Sequence, residues 1–561
     1  MTTPAVDAPS LSGAELVLRV LREEGVDHVF GNPGTTELPL IQRLADQHDI
    51  TYVLALQEAS AVAMADGHAR ITGRPAFVNL HAAAGLGNGI GALTNAAAAR
   101  VPMVVTAGQQ DLRHLIHEPV LAGDLTGMAT ATVKWAHEVG TRAELGEVLS
   151  HAFRVAKAPP TGPVFVSLPM NLLDEMGPPP PPRTTIRYAA AAPTDDLAKL
   201  LNETPADEIA LVFGDELARH APAEGLALAE ALGAPVWGAG WPATNPFPTA
   251  HALWRGYLPT HLPGIRATLA PFRLVLVAGT RTFPLYYPYA PRPLLDENTH
   301  VVQITADPAG PGRDTPVDCA LNGHLRPTLR ALLAALPSSE CSVRETAPPS
   351  TGSTGLPTGP PNGPLDLQSL SAALAAALPD DALVVDEAPH AARSIRAALR
   401  LAEANRYQWV SGGLGWAMPA AVGVSLAHPG GRVLCTVGDG ATMYCPQSLW
   451  TAAHLGLPIG FVVANNREYR VLKDNWHHRE PGAKRLLGMD LTRPAVDFGA
   501  LGRSMGVPAR RATTSTELME AVRDGYRAEG PFLVEAVLDE TVLAEAALDE
   551  AAPDEAAPDG R

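Results

Sequence analysis

Short apolar runs alternate along this chain with stretches whose apolar residues have helical spacing. Arg432–Val437 and Ile459–Ala464 are two such runs, and Ser448–His454 lies between them with helical spacing. Continuous apolar runs of this length are typical of parallel strands that are buried on both faces. The alternation therefore predicts an α/β fold with mainly parallel sheets.

The apolar runs fall into three groups that proline-rich stretches separate. The first group predicts a parallel sheet with strands at Val26–Phe30, Thr51–Leu56, Pro75–Leu80, Val101–Ala107 and Pro163–Leu168. The second predicts strands at Ile209–Phe213, Leu274–Ala278 and His300–Ile304. A chain of 561 residues is also too long to fold around one hydrophobic core. We expect an N-terminal domain at 1–183, a middle domain at 184–345, a linker at 346–364, a C-terminal domain at 365–540 and a disordered acidic tail at 541–561.

Two polar motifs end neighbouring predicted strands of the third group. Gly438-Asp439-Gly440 follows one strand, and Asn465-Asn466 follows the next after 24 intervening residues. Open α/β sheets bind ligands at the carboxyl ends of their strands. Carboxylate and amide oxygens suit Mg²⁺ or Ca²⁺ rather than zinc, and glycines let the backbone approach a phosphate. The pattern predicts a magnesium ion held between protein oxygens and a diphosphate; the alternative is a strand–turn–helix with a solvated aspartate.

Three positions of the first group are candidates for proton-transfer chemistry. Thr35 opens a predicted helix after a strand, where its hydroxyl either caps the helix or faces a ligand. Glu58 stands alone among apolar residues, which favour a protonated carboxyl group, although many such glutamates only begin a helix. His81 ends a strand and is either structural or an acid–base group. The glycines from Gly85 to Gly91 lack GxGxxG spacing, so we exclude a Rossmann NAD site.

Composition narrows the class of protein. The chain has 561 residues, 46% of them apolar, and lacks both a membrane-length apolar run and a signal-peptide pattern, so we expect a cytoplasmic protein. Its four cysteines form no CxxC motif and are expected to be reduced. The net charge of −17 argues against nucleic acid as a partner.

The motifs together resemble one enzyme family. Gly31–Glu37, Leu54–Glu58, Asn79–His81, Gly412–Pro419 and the Gly438–Asn466 pattern are similar to those of thiamine diphosphate (ThDP)-dependent enzymes, closest to benzoylformate decarboxylases. The resemblance implies an N-terminal domain that binds the pyrimidine of ThDP and a C-terminal domain that binds its diphosphate. It also implies a non-catalytic middle domain, in which we do not expect FAD. The activating glutamate and the metal motif come from different subunits in this family, which implies a dimer of dimers.

The resemblance also implies roles for individual residues. Asp439, Asn466 and the main-chain oxygen of Glu468 hold the metal. The catalytic positions are Glu58, which activates the aminopyrimidine ring, His81, which moves protons, Thr35, which contacts the substrate carboxylate, and Tyr286, in place of a second histidine. The cofactor-binding positions are Asn32, Pro33, Gly34, Glu58, His390, Gly412, Leu414, Gly438, Asp439, Gly440, Ala441, Asn466, Glu468, Tyr469, Arg470 and Val471.

The expected activity is the non-oxidative decarboxylation of a 2-oxo acid with ThDP and Mg²⁺. Two alternatives remain: a ThDP-dependent carboligase that joins the product to an acceptor aldehyde or oxo acid, and a non-catalytic partner subunit. A phenol is a weaker acid than imidazolium, so Tyr286 favours carboligation. A basic run from Arg467 to Arg485 forms either a solvated lid or a contact for an anionic substrate, with Arg470 close to Asn466.

Overall fold

The computed structural model describes residues 10–180, 190–285, 295, 298–337, 363–410, 412–480 and 486–539, without the side chain of His478. The chain divides into two compact units, Met1–Thr351 with Arg400–Pro429 and Gly352–Leu399 with Gly430–Arg561. Tyr286, the acidic tail and most of the predicted linker lie outside the described residues. Within the described ranges, no helix is long and apolar enough to cross a membrane.

The N-terminal part of the first unit is built on a parallel sheet. Its strands are β1 (Leu11–Ser12), β2 (His28–Gly31), β3 (Thr51–Leu54), β4 (Ala76–Leu80), β5 (Met103–Gln109), β6 (Ala136–Glu138), β7 (Pro163–Pro169) and β8 (Met176–Gly177). Its helices are α1 (Gly13–Glu24), α2 (Leu38–Ala45), α3 (Glu58–Thr72), α4 (Ala82–Ala98), α5 (Leu125–Thr130), α6 (Leu145–Lys157) and α7 (Met170–Asp174), with 3₁₀ turns at Thr35–Glu37 and Leu115–His117. The parallel strands lie in the order β3-β2-β4-β5-β7-β6, and β1 pairs with β8.

The middle part of the first unit is a second parallel sheet. Its strands are β9 (Ile209–Phe213), β10 (Val236–Gly238), β11 (Trp254–Tyr257), β12 (Leu274–Ala278), β13 (His300–Thr305) and β14 (Cys319–Asn322). Its helices are α8 (Asp195–Glu203), α9 (Asp215–His220), α10 (Pro222–Leu232), α11 (Leu262–Leu269) and α12 (Leu325–Ala335), with a 3₁₀ turn at Ala206–Glu208. The order is β11-β10-β9-β12-β13-β14. At the switch point between β9 and β12, a Cβ on Gly279 would lie 2.4 Å from the nitrogen of Leu217, so only glycine fits between β12 and α9 at this position.

The remaining elements form the C-terminal part of the chain, in which the Gly-Asp-Gly motif joins a strand to a short helix. The strands are β15 (Leu383–Glu387), β16 (Tyr407–Trp409), β17 (Val433–Gly438), β18 (Ile459–Asn465), β19 (Ala509–Ala512) and β20 (Phe532–Val537). The helices are α13 (Leu367–Ala377), α14 (Ala392–Ala398), α15 (Ala417–Ala427), α16 (Asp439–Thr442), α17 (Ser448–His454), α18 (Arg470–Arg479), α19 (Phe498–Ser504) and α20 (Ser515–Arg527). β16 and α15 belong to the first unit. In the second unit, parallel strands lie in the order β15-β17-β18-β20-β19.

The predicted parallel α/β sheets are confirmed in all three parts of the chain. The strands that carry the motifs are apolar runs, and β4, β12 and β18 are buried along their whole length. Helices on both faces of each sheet explain why these runs lack polar alternation.

Helices α3 and α15 pack closely within the first unit. A Cβ on Gly67 would lie 2.2 Å from the carbonyl oxygen of Ala420, and a Cβ on Gly423 would lie 1.8 Å from that of Met64. Only glycine allows the two backbones to approach so closely. This packing fixes the position of α3, which begins at Glu58.

Candidate active site

Asp439 lies at the carboxyl end of β17 and is 5% exposed. Its carboxylate accepts hydrogen bonds from the backbone N–H of Gly440 at 2.7 Å and of Arg467 at 2.6 Å. Burial raises the pKa of Asp439 to about 6, and the backbone donors offset only part of that effect. A carboxylate offers about four lone pairs, so these backbone donors leave acceptor capacity for a cation.

The loop after β18 brings the predicted metal-binding residues beside Asp439. Arg467 has a φ of +60°, and this left-handed turn directs its N–H towards Asp439. Asn466 is 6% exposed, and its side-chain oxygen accepts a hydrogen bond from the N–H of Glu468 at 3.1 Å. Two backbone hydrogen bonds join this loop to the following segment: the N–H of Leu491 donates to the oxygen of Arg467 at 2.7 Å, and the N–H of Tyr469 donates to the oxygen of Met489 at 2.9 Å. Neither of these bonds uses the main-chain oxygen of Glu468. The loops after β17 and β18 therefore supply hard oxygen donors at one edge of the sheet, the type of ligand that Mg²⁺ prefers.

The basic run contains acids that pair with its cations. Arg470 donates to Asp474 at 2.7 Å and to Glu468 at 3.3 Å, and Lys473 pairs with Glu468 and with Asp490. These pairs engage Arg470 and Lys473 with acids of the same chain, and the choice between a solvated lid and a contact for a substrate charge stays a prediction. Lys484 and Arg485 lie outside the described residues.

The other predicted diphosphate-binding residues surround the same edge of the second unit. A Cβ on Gly440 would lie 2.5 Å from the ring of Tyr469, so this glycine is needed for packing. A Cβ on Gly438 would meet its nearest atom at 3.8 Å, which leaves space in front of that glycine. His390 lies 3.7 Å from Asp474, an acid that the sequence interpretation did not single out. Ala441 is buried on α16, and Val471 lies in the first turn of α18.

A buried carboxylate positions His81 at the carboxyl edge of the N-terminal sheet. Glu37 is 1% exposed, and its carboxylate accepts from the N–H of Gly34 at 3.1 Å, the N–H of Gly108 at 3.0 Å and the hydroxyl of Thr36 at 2.6 Å. Its other close contact is Nδ1 of His81 at 2.9 Å. An acceptor on Nδ1 fixes the ring tautomer and makes Nε2 the proton acceptor.

The loop from Asn32 to Thr36 packs against the imidazole of His81. A Cβ on Gly34 would lie 2.0 Å from the ring, so glycine is required at this position. Thr36, which is buried, approaches Nδ1 of His81 at 3.1 Å, whereas the predicted substrate contact Thr35 is exposed. Asn32 and Pro33 lie on the same loop after β2. Glu37 was missed as a site residue because an acid in a first helical turn has a sufficient local explanation in helix capping.

Glu58 is the first residue of α3 and is partly buried. Its Oε2 accepts a hydrogen bond from the side-chain amide of Asn88 at 3.0 Å. A Cβ on Gly85 would lie 3.0 Å from Oε1, so this glycine leaves room beside the carboxyl group. Glu58 is thus held through one oxygen, and its other oxygen faces a position without a side chain.

Asn95 of α4 binds the glycine loop that precedes α15. Its side-chain amide donates to the carbonyl oxygen of Gly413 at 2.9 Å, and its side-chain oxygen accepts from the N–H of Gly413 at 2.9 Å. A Cβ on Gly412 would lie 2.3 Å from that side-chain oxygen. The paired bonds fix the backbone next to Leu414, which is 37% exposed. The sequence interpretation missed Asn95.

Comparison with known proteins decides the family. Residues 11–128 match the N-terminal TPP binding domain of thiamine pyrophosphate enzymes, 194–332 match the central domain, and 390–536 match the C-terminal TPP binding domain. The chain belongs to the thiamine diphosphate-dependent enzymes. The predictions of this family, of its three α/β domains and of ThDP as cofactor are thereby confirmed.

The similar proteins of this ThDP-dependent family span almost the whole chain. Benzoylformate decarboxylase of Pseudomonas aeruginosa is 37% identical over 526 residues, which cover 92% of this chain and 97% of that protein. The acetolactate synthase large subunit of Haemophilus influenzae is 25% identical, with coverage of 94% and 95%. The structure of the 4-hydroxybenzoylformate decarboxylase of Rhodococcus jostii superposes with a TM-score of 0.86 at 32% identity and covers 94% of this chain and 99% of its own. These relatives support the prediction of a carboxy-lyase close to benzoylformate decarboxylase.

Proposed function

We propose that the protein catalyses the non-oxidative decarboxylation of a 2-oxo acid with ThDP and Mg²⁺. The observation that carries this proposal is the anchoring of His81 through Nδ1 by the buried Glu37, which directs Nε2 to act as an acid–base group. The 37% identity to benzoylformate decarboxylase supports the same reaction class. We also propose the domain bounds predicted above.

The residues present suit both the cofactor and its metal. ThDP, when bound, supplies a nucleophilic carbon and accepts the electrons that the departing CO₂ leaves behind. We propose that Asp439, Asn466 and the main-chain oxygen of Glu468 hold Mg²⁺ against the diphosphate. The carboxylate of Asp439 supports this assignment: its burial raises its pKa more than the backbone donors lower it, and a divalent cation would stabilise its negative charge.

The acid–base groups of the chain then have separate tasks. Glu58 holds a proton at its carboxyl group for the aminopyrimidine ring, and Asn88 orients that group. His81 exchanges a proton through Nε2 with the substrate-derived carbon or oxygen, while Thr35 offers a hydroxyl to the substrate carboxylate. Tyr286 lies outside the described residues, so its influence on carboligation stays a prediction.

The reaction is tested by product analysis with a panel of aryl, alkyl and dicarboxylic 2-oxo acids in the presence of Mg²⁺ and ThDP. Decarboxylation predicts equal amounts of CO₂ and aldehyde from at least one acid. Carboligation instead predicts less aldehyde than CO₂, with the difference recovered as a hydroxyketone. A holoenzyme that releases CO₂ from none of these acids would contradict the proposal.

Replacing Glu37 by glutamine is expected to lower kcat by about 10- to 100-fold while ThDP binds normally, because the neutral amide orients His81 less well. Glu37 is a positioning residue, so its effect should depend on His81. We expect the double variant Glu37→Gln, His81→Ala to be hardly slower than His81→Ala alone. Steady-state kinetics are measured on wild type, the two single variants and the double variant, with unfolding temperatures as a control. The role would be rejected if the loss of kcat in the double variant equalled the product of the losses in the two single variants.

Replacing Asn95 by alanine is expected to weaken ThDP binding by about tenfold, since two hydrogen bonds that fix the Gly412–Leu414 loop are lost. Titration of ThDP at saturating Mg²⁺ measures the effect. Replacing Asn88 by alanine is the matched control, because that amide contacts Glu58 and leaves the loop unchanged. Equal ThDP affinity in wild type and Asn95→Ala would contradict the role.

A further inference from the structure

Two histidines and one aspartate converge at the amino edge of the N-terminal sheet. Asp27 and His28 stand where β2 begins, and His68 lies in the second half of α3. Oδ1 of Asp27 is 2.8 Å from Nδ1 of His28 and 3.6 Å from Nε2 of His68. One ligand atom from each of the three residues lies within 4.8 Å of the others. The candidate ThDP residues after β2 and β4 occupy the opposite edge of this sheet.

His68 lacks the hydrogen bonds that a buried imidazole requires. It is 5% exposed, and its Nδ1 is buried without a hydrogen-bond partner among the described residues. Its Nε2 lies 3.6 Å from Asp27, which is longer than a hydrogen bond. Nε2 therefore faces Asp27 at a distance that an ion between the two atoms could bridge, and Nδ1 on the other side of the ring calls for a water of its own.

The protonation state and the orientation of these groups suit a metal ion. Burial lowers the pKa of His68 to about 4, helped by the neighbouring His28, so the ring is in the neutral form that binds metals. Arg74 donates to Oδ2 of Asp27 at 2.9 Å and to the carbonyl oxygen of Gly25 at 2.8 Å. The guanidinium therefore holds Oδ1 towards the histidines and orients this ligand as an outer-shell partner does.

We propose that Asp27, His28 and His68 bind one Zn²⁺ ion. Tetrahedral zinc with bonds of about 2.0–2.1 Å places its ligand atoms about 3.3 Å apart, and the two measured separations bracket that value. Two imidazoles and one carboxylate form a donor set of the borderline type that selects zinc over Mg²⁺. Water completes the coordination, since the carboxylate of Asp27 is 44% exposed.

The ion would join the beginning of β2 to the second half of α3. Ten residues separate His68 from Glu58 on this helix, which corresponds to about 15 Å along its axis. Zinc therefore stabilises the element that carries the proposed activating glutamate without entering the ThDP site. It acts as a structural ion of the N-terminal sheet.

The test is a Zn²⁺ titration of holoenzyme that has been stripped with a chelator and reloaded with Mg²⁺ and ThDP. We expect one tight site per chain and a higher unfolding temperature with Zn²⁺. Replacing His28 or His68 by glutamine should weaken binding by at least about 100-fold and abolish the thermal shift. His28→Gln keeps the test valid if the buried His68→Gln fails to fold, because His28 is partly exposed.

Three controls separate this site from other sources of zinc binding. His300→Gln is the first control, because His300 pairs with one aspartate, Asp318 at 3.9 Å, and its ion pair contains no second imidazole. This variant should bind zinc like wild type. Asp439→Asn should also retain this zinc. Co²⁺ in place of zinc should give a four-coordinate absorption spectrum without a thiolate band, which excludes the cysteines. Wild type without a tight site, or His28→Gln and His68→Gln with unchanged affinity, would overturn the proposal.

Discussion

Turnover of the 2-oxo acid substrate is expected to fall by about three orders of magnitude when Glu58 is replaced by glutamine, while the affinity for ThDP changes little. The glutamine amide has the same shape and can still accept the hydrogen bond from Asn88 through its oxygen. It cannot hold the ionisable proton that the aminopyrimidine ring requires. Stopped-flow or steady-state CO₂ release, together with calorimetric ThDP binding, separates the two quantities.

Glu58→Asp is the matched variant for this experiment. It retains an ionisable carboxyl group but shortens the side chain, so we expect activity between those of wild type and Glu58→Gln. A Glu58→Gln enzyme that releases CO₂ at the wild-type rate would show that the carboxyl group does not activate the cofactor. Loss of ThDP binding in that variant would instead assign Glu58 a binding role.

Replacing Asp439 by asparagine is expected to weaken Mg²⁺-dependent ThDP binding by at least about 100-fold, because the proposed metal site would lose its charged ligand. Both oxygens of the carboxylate accept backbone N–H groups, so an asparagine also directs an N–H₂ group at one of these donors. That mismatch should lower the free energy of unfolding by about 1–3 kcal/mol. Calorimetric titration of ThDP at several Mg²⁺ concentrations measures the first effect, and thermal unfolding measures the second.

Asp490→Asn is the control for Asp439. Asp490 lies in the same region and pairs with Lys473, but its side chain is 60% exposed and belongs to the salt bridges of Lys473. We expect wild-type ThDP affinity in this variant. If Asp439→Asn bound Mg²⁺ and ThDP as tightly as Asp490→Asn, the proposed metal site would be wrong.

The two inactive variants also test the proposed homo-oligomer. If Glu58 and Asp439 of one site come from different subunits, mixed oligomers of Glu58→Gln and Asp439→Asn chains contain some sites with both native residues. Refolding the two variants together should then restore activity that neither has alone. Exposed apolar side chains in the first unit, such as Leu38, Leu56 and Met128, agree with burial in an interface. Activity that stays absent in the mixture would argue for sites within one chain.

Local pattern was sufficient for the long buried strands and for the candidate residues at their ends, whereas the short strands β6, β10, β11 and β14 were not predicted. The middle strands Ile209–Phe213 and Leu274–Ala278 agree residue for residue with the structure, because runs buried on both faces have clear limits in the sequence. The Gly-Asp-Gly motif, Glu58 and His81 could be predicted for the same reason, since each follows directly after such a run. The family resemblance then supplied their expected roles.

Only the tertiary structure decided which side chains meet. Glu37 reaches His81 across 44 residues, and Asn95 reaches Gly413 across 318 residues. The convergence of His68 with Asp27 likewise depends on how α3 packs against β2, and the acids that pair with Arg470 and Lys473 depend on how α18 folds back. Periodicity encodes which face of an element is buried, but the order of strands in a sheet and the partners of buried polar groups follow from the packing of the whole domain. For that reason the sequence by itself predicted the long buried strands and the candidate site residues, and the tertiary structure determined which side chains contact those residues.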